Sequence, residues 1–434
     1  MNFNKKVAFY TLGCKVNQYE TESIKNQLLQ KGYTETSFEE KADIYIVNSC
    51  TVTSVADRKT RNMLRRAKKI NPQGKVIVTG CYAQTNSKEL LEMEEIDYVV
   101  GNRYKKGIVN FIEDIENRTM ERLKNDNIFD EYEYTEYEFA TLREMSRAYV
   151  KIQDGCNNFC SYCKIPFARG KSRSRKKDNI LREIEKLVAE GFKEVILIGI
   201  NLGAYGEDLE ENIDFEDLLE EILQIKGLER VRIGSVYPDK ISDRFIEMFK
   251  YKNLMPHLHI SLQSCDDTVL KMMKRKYGSA LIEERLLKLK NSVENMEYTA
   301  DIIVGFPGET EEMFQNSYNL IEKIGFSGLH IFQYSDRENT VASHLENKID
   351  SKTKKERADR LEELKKVMAI REREHYLEKN LKVLIEEKIE DSFYGYSENY
   401  LRVKIDRNHS EIKENDIVDV KITSLEKELL VAYE

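Results

Sequence analysis

The sequence predicts an α/β protein built in three parts joined by one linker. These are an N-terminal domain with an open parallel sheet over residues 1–116, a charged linker over 117–146, a partial parallel (β/α)6 barrel over 147–370, and a small C-terminal antiparallel β-barrel over 371–434. Three observations lead there. Short, almost wholly apolar runs alternate with helical stretches near the N-terminus, which is the pattern of strands buried on both faces. Six further strand–helix units follow residue 147. After a long charged helix the pattern changes to closely spaced short strands.

Taken in order, "KVAFYTLG", "ADIYIVNSC" and "KVIVTGC" read as strands, with "QYETESIKNQLLQKG" and "SVADRKTRNMLRRAKKI" as the helices between them; Gly32 is placed to end the first helix. The linker is charged and dotted with tyrosine, with no clear period. The barrel strands are "AYVKIQ", "EVILIGI", "RVRIGSV", "HLHISLQS", "TADIIVGF" and "GLHIFQYS", separated by helices such as "NILREIEKLVAEG" and "EERLLKLKNSVENM". A complete barrel has eight such units, so six predict an incomplete one. "SKTKKERADRLEELKKVMAIREREHYLEKN" reads as one long helix, and "LKVLIEEKI", "YLRVKI" and "DIVDVKI" as strands of the terminal barrel.

With 434 residues the chain is long enough for two or three domains. It shows no apolar run long enough to span a membrane and starts without the apolar stretch of a signal peptide, so a cytoplasmic location is expected. In that reducing setting the seven cysteines point to metal or catalysis more than to disulfides. The net charge of −8 disfavours nucleic acid on average, so any contact with RNA falls to local basic patches.

The cysteines sort into two groups. Cys14, Cys50 and Cys81 each stand where a predicted strand gives way to a loop, the position at which open parallel sheets bind ligands. Three occurrences in one topological position are hard to attribute to packing. Cys156, Cys160 and Cys163 form a C-x3-C-x2-C array after the first barrel strand. Zinc is the alternative reading, but a structural zinc takes four ligands and no fourth Cys or His lies nearby. An iron–sulfur cluster held by three thiolates, with one iron open, fits better. Cys265 is left over and is expected to be structural or incidental.

The array, with Tyr162 before its last cysteine, resembles the radical S-adenosylmethionine (SAM) superfamily. Together with the three upstream cysteines and the terminal barrel, the chain resembles the radical SAM methylthiotransferases over essentially its whole length. "TLGCKVNQYETE", "VNSCTVT", "TGCYAQ", "GCNNFCSYCKIPFARG" and "DIIVGFPGETEE" are similar to the branch acting on N6-threonylcarbamoyladenosine at position 37 of tRNA. Cys265 and Asn339 depart from that pattern, which usually has Gly at both; Asn accepts the left-handed backbone that Gly would adopt.

The resemblance implies a fold of methylthiotransferase domain, radical SAM core and TRAM barrel. It implies two [4Fe-4S] clusters, one on Cys156, Cys160 and Cys163 binding SAM, the other on Cys14, Cys50 and Cys81 presenting sulfur. A 5′-deoxyadenosyl radical would take hydrogen from C2 of the adenine, and a second SAM would supply the methyl group. No catalytic residue beyond the cluster ligands is assigned. Tyr162, Asn201, Tyr205, Ser235, Gln263 and Gly305, five of them near strand ends, are expected to contact SAM. Arg169, Lys171, Arg173, Arg175 and Lys176, just after the array, are expected to hold phosphates of the tRNA anticodon stem-loop. A second basic run, Arg58 to Lys69, lies on the helix after Cys50, where a solvated helix face is the competing reading. The reaction also needs an electron donor and a sulfur source, and no membrane. Alternatives are a methylthiotransferase for isopentenyladenosine tRNA or for a ribosomal protein aspartate, and a non-catalytic RNA-binding protein with metal-stabilised loops.

Overall fold

The computed structural model describes residues 5–116, 121–130, 133–137, 146–406 and 412–432. Parts of the linker and the extreme N-terminus lie outside the described residues.

The N-terminal sheet is wholly parallel, in the order Thr34–Glu35, Lys6–Thr11, Ile44–Ser49, Lys75–Gly80, Tyr98–Val100, Leu123–Lys124. Its central strand Ile44–Ser49 is buried along its whole length, which is why it reads as a continuous apolar run. Helix Ser54–Ile70 starts where the Thr53 side chain accepts from the backbone N–H of Ala56. Helix Lys15–Gln30 starts earlier than its polar pattern suggests, directly after Cys14, and the chain leaves it through Gly32 at φ 89°.

Six parallel strands form the incomplete barrel: Arg147–Lys151, Glu194–Ile198, Arg230–Ile233 continued by Ser235–Val236, His257–Gln263, Glu297–Val304 and Gly328–Gln333. The third strand is divided at Gly234. Its first part pairs with Glu194–Ile198 and its second with His257–Gln263, so two sheets join along one strand. On Glu297–Val304 the even residues Tyr298, Ala300, Ile302 and Val304 enter the core under the helices, and Thr299, Asp301 and Ile303 face the barrel interior. Helix Ser351–Glu374 follows, closing over the last strand.

The C-terminal barrel is closed, in the order Asn380–Ile389, Ser392–Ser397, Arg402–Asp406, Leu429–Ala432, Ile417–Glu426. The expectation of purely antiparallel pairing is corrected at one place: Arg402–Asp406 runs parallel to Leu429–Ala432. Five is an odd number, and an odd ring of strands cannot alternate direction throughout. This small barrel sits under the amino ends of the core strands, where Ser146 Oγ donates to the Ile385 carbonyl (2.9 Å) and the His257 ring lies 4.8 Å from that of Tyr400.

Candidate active site

Cys14, Cys50 and Cys81 stand at the carboxyl ends of three parallel strands, and each is followed by a turn or helix start. The convergence is tight. Gly13 has φ 97°, and a Cβ there would lie 2.8 Å from both Cβ and Sγ of Cys50. Cys50 and Cys81 are buried, whereas Cys14 is exposed. Burial pushes the thiol of Cys50 up to about 12, and the neighbouring Cys81 and Cys14 add to it; burial raises Cys14 as well, against the opposing charge of Arg169. Thiols held neutral by burial, as those of Cys14 and Cys50 are, become good ligands once a cation sits among them and Cys81. Asn102 Nδ2 lies 3.7 Å from Cys81 Sγ and donates to the Ala168 carbonyl at 2.7 Å, tying this site to the core.

The second triad lies on the loop after strand Gln153–Asp154. Its turn is pinned from both sides: Cys156 N–H donates to the Gly170 carbonyl (3.1 Å), Ser161 N–H to the Met273 carbonyl (3.1 Å), and Ala342 N–H to the Ser161 carbonyl (2.7 Å). Donors already surround the sulfurs. The backbone N–H of Asn158 lies 3.5 Å from Cys156 Sγ, that of Ile165 is 3.4 Å from Cys163 Sγ, and Arg275 Nη1 is 3.4 Å from Cys160 Sγ. Burial and the adjacent Cys160 push Cys163 up to about 12. Three thiols on a donor-lined loop, with no fourth protein ligand in the motif, fit the three-thiolate cluster of the radical SAM chemistry.

Between the two triads lies one short helix, Ile165–Arg169, which begins two residues after Cys163 and ends beside the first site. Arg169 there is 1 % exposed. It donates to Glu20 Oε1 (2.9 Å), Asp154 Oδ1 (2.9 Å) and Asn17 Oδ1 (2.6 Å). Lys105 (2.6 Å) and Lys151 (2.7 Å) reach the same Glu20. Burial opposes ionisation of Glu20, yet Arg169, Lys105 and Lys151 together hold its carboxyl well below the usual range. This cluster is the seam between the N-terminal domain and the barrel. Arg337 makes a second fastening, donating to Thr51 Oγ1 (2.7 Å) and Asp57 Oδ2 (2.6 Å) next to Cys50.

The expected phosphate contacts are therefore corrected for two residues. Arg169 and Arg175 are buried ion-pair partners: Arg175 binds Glu183 and, at 2.7 Å, Glu136. Arg173 is also buried, and its guanidinium donates to the carbonyls of Lys171 (2.7 Å) and Arg169 (2.8 Å). Lys171 and Lys176 are exposed, on the rim of a recess of about 980 Å³ that Phe129 also lines. Phe159 and Phe167, 41 % and 40 % exposed, pack with Phe129 at ring separations of 5.9–6.1 Å beside the cysteine loop. On the helix after Cys50, Arg61, Arg65, Arg66 and Lys68 pair with acids, while Arg58 and Lys59 are exposed.

The expected SAM contacts divide. Tyr162 sits edge-on to Phe306 (6.4 Å). Gln263 closes its strand at φ 68°, Ser235 is exposed on the second part of the divided strand, and the Gly305 N–H is held by Glu309 (2.7 Å). Asn201 is buried, with its backbone N–H on Gln153 Oε1 (2.9 Å). Tyr205 is turned into the core, its hydroxyl on the Arg175 carbonyl (2.9 Å). Arg275 is a residue that the sequence does not single out. Its guanidinium lies 4.6 Å over Tyr237 and 5.4 Å over Tyr277 while it reaches Cys160, and nothing local in "KRKYG" signals this. Cys265 is buried in the core, as expected, and Asn339 takes the left-handed backbone at φ 65°.

Comparison with known proteins agrees with this geometry. Residues 6–101 match the model of uncharacterized protein family UPF0004, and residues 150–321 match the radical SAM superfamily. The chain is 40 % identical to threonylcarbamoyladenosine tRNA methylthiotransferase MtaB of Bacillus subtilis, over 96 % of this chain and 93 % of that one. It is 37 % identical to tRNA-2-methylthio-N(6)-dimethylallyladenosine synthase of a Hydrogenobaculum species, over 89 % of each. Among solved structures, the radical SAM methyltransferase TsrM of Kitasatospora setae superposes with a TM-score of 0.58 at 14 % identity, over 79 % of this chain and 77 % of that one, a likeness of fold. Among the described residues no helix is long and apolar enough to cross a membrane. The chain belongs to the radical SAM methylthiotransferase family.

Proposed function

We propose that the protein methylthiolates C2 of N6-threonylcarbamoyladenosine at position 37 of tRNA, using SAM and two [4Fe-4S] clusters. The observation that carries this reading is the meeting of two cysteine triads across the helix Ile165–Arg169. Cys156, Cys160 and Cys163 would hold the cluster that binds SAM, and Cys14, Cys50 and Cys81 the second. Bound there, these groups supply one-electron chemistry able to open an unreactive C–H bond, and the sulfur that replaces the hydrogen.

The chain's own residues supply placement. The donors at Asn158, Ile165 and Arg275 orient the thiolates of the SAM-binding site. The seam around Glu20 fixes the two sites relative to each other, so that the base lies between them. The exposed rings of Phe159 and Phe167, packed on half-buried Phe129 beside Lys171 and Lys176, suit a single-stranded loop, which is held by stacking and phosphate contact. The substrate base is drawn from the name of relatives such as MtaB of Bacillus subtilis, 40 % identical over 96 % of this chain.

Anaerobically prepared enzyme should be given SAM, reductant and three stem-loops carrying threonylcarbamoyladenosine, isopentenyladenosine or adenosine, with the nucleosides read by mass spectrometry. The methylthio product is expected on the first. Comparable turnover of the isopentenyl stem-loop would overturn the substrate. Replacing Cys156, Cys160 and Cys163 with Ala should abolish SAM cleavage; replacing Cys14, Cys50 and Cys81 should leave it while stopping thiolation. Full iron content and normal thiolation in the second variant would overturn the two-cluster assignment.

A further inference from the structure

Helix Lys15–Gln30 packs its first turns against the inner side of the barrel, where Val16 and Tyr19 meet Tyr149, Ile196 and Ile198. Lys15 follows Cys14 directly, and its side chain enters the barrel interior toward Tyr149, Arg147, Arg232 and Glu194. Its Nζ lies 5.5 Å over the ring of Tyr149, and the residue is exposed to the chamber. Among the described residues no carboxylate forms an ion pair with it.

The charges around it do not balance locally. Arg147, Arg230 and Arg232 all turn to the single buried carboxylate of Glu194, at 3.7, 3.6 and 2.8 Å. Arg147 has a second acid, Glu386, which Arg402 shares. The remaining donors of Arg230 and Arg232 go to neutral carbonyls of Lys382, Tyr396, Ser397 and Glu398. Lys15 thus joins three arginines that have Glu194 and Glu386 in contact and Glu398 further off, one cation in excess. Burial holds His257 far from protonation, and the positive charges of Arg232 and Lys15 add to it. Excess like charge in a protected chamber is unfavourable until an anion enters.

We propose that Lys15 is a specificity-determining residue that receives the carboxylate carried by the side chain of the substrate base, with Arg147 and Arg232 providing the field behind it. This rests on the threonylcarbamoyl reading given above. In adenine, C2 and the carbon bearing N6 are the two neighbours of N1, so a base whose C2 is presented to the auxiliary cysteines can send its N6 substituent into the barrel interior that Lys15 lines. Threonylcarbamoyl brings a carboxylate there. An isopentenyl group brings none and leaves the ammonium unpaired, the situation in which a polar site rejects an analogue most strongly.

The test uses the holoenzyme with two stem-loops, one carrying threonylcarbamoyladenosine and one in which that carboxylate is a neutral carboxamide. Wild type should favour the acid in kcat/KM by about 10- to 100-fold, the range of a charge-assisted hydrogen bond. Lys15→Met should lose that factor on the acid and little on the amide, and Lys15→Arg should keep the preference. Iron content and substrate-independent SAM cleavage should match wild type. Equal losses on both stem-loops in Lys15→Met, or a preference for the acid that survives it, would overturn the proposal. If wild type turns over acid and amide alike, the substrate reading stands and the role of Lys15 falls. If wild type modifies neither of these and only the isopentenyl stem-loop of the function test, both fall.

Discussion

The seam around Glu20 and the chamber around Glu194 are both buried, both rich in cations, and both lie on the inner side of the same barrel. They differ in how their cations are served. In the seam Lys105, Lys151 and Arg169 each touch a carboxylate at 2.6–2.9 Å, with Asp154 taking a further share. In the chamber Arg232 touches Glu194 at 2.8 Å and Arg147 touches Glu386, Arg230 stands 3.6 Å from Glu194, and Lys15 has no acid partner among the described residues. A buried charge cluster closed on itself sets the register of two domains. One left open is a place for a ligand.

The largest effect should come from breaking the closed cluster. Glu20→Gln strands buried Lys105 and leaves Lys151 and Arg169 to share Asp154, and removing one partner of a buried pair typically costs about 3–5 kcal/mol. The first transition in a urea melt should move to lower denaturant, and auxiliary iron should be lost more readily. An unchanged melt would show that the seam does not hold the domains together.

Glu297 provides the opposite limit, a buried acid with no cation in contact. It accepts from the Tyr376 hydroxyl (2.8 Å), and its Oε2 has no partner, so burial pushes its pKa up to about 7. The folded state then binds more protons than the unfolded chain above the ordinary carboxyl range. Stability contributed by this group is complete below about pH 4.5 and falls as pH rises through 7, by on the order of 3 kcal/mol. Melting temperatures from pH 5 to 8 should show the decline, and Glu297→Gln should flatten it. A slope unaltered by the substitution would assign the pH dependence elsewhere.

The smallest effect concerns exposed cations. Replacing Lys171 and Lys176 with Gln should lower the slope of log affinity for the stem-loop against log salt by about 0.7–0.9 for each phosphate that is no longer neutralised, with both clusters intact. An unchanged slope would return these lysines to the solvated surface.

Much of this could be read from the sequence because the signals are local. Buried strands announce themselves as apolar runs, and the six strand ends and both cysteine groups follow from them. What failed was the meaning of the basic run after Cys163. Arg169 and Arg175 look like RNA contacts until the fold brings up Glu20, 149 residues from Arg169, and Glu183 beside Tyr19. Lys15, Arg147 and Arg275 escape notice for the same reason, since their partners lie on other elements. The strands Ser392–Ser397 and Leu429–Ala432 escape because one contains Gly395 among polar residues and the other lies close to the chain end.

The unequal exposure of the auxiliary cysteines gives their site a front and a back. Cys50 and Cys81 are sealed behind the sheet, and Cys14 alone meets solvent. Traffic with that centre thus passes through a single side: a thiol reagent, an oxidant or a replacement sulfide arrives at Cys14 first. Under the proposed function, damage and repair would share this doorway with the substrate base, and bound RNA would shield the site from air.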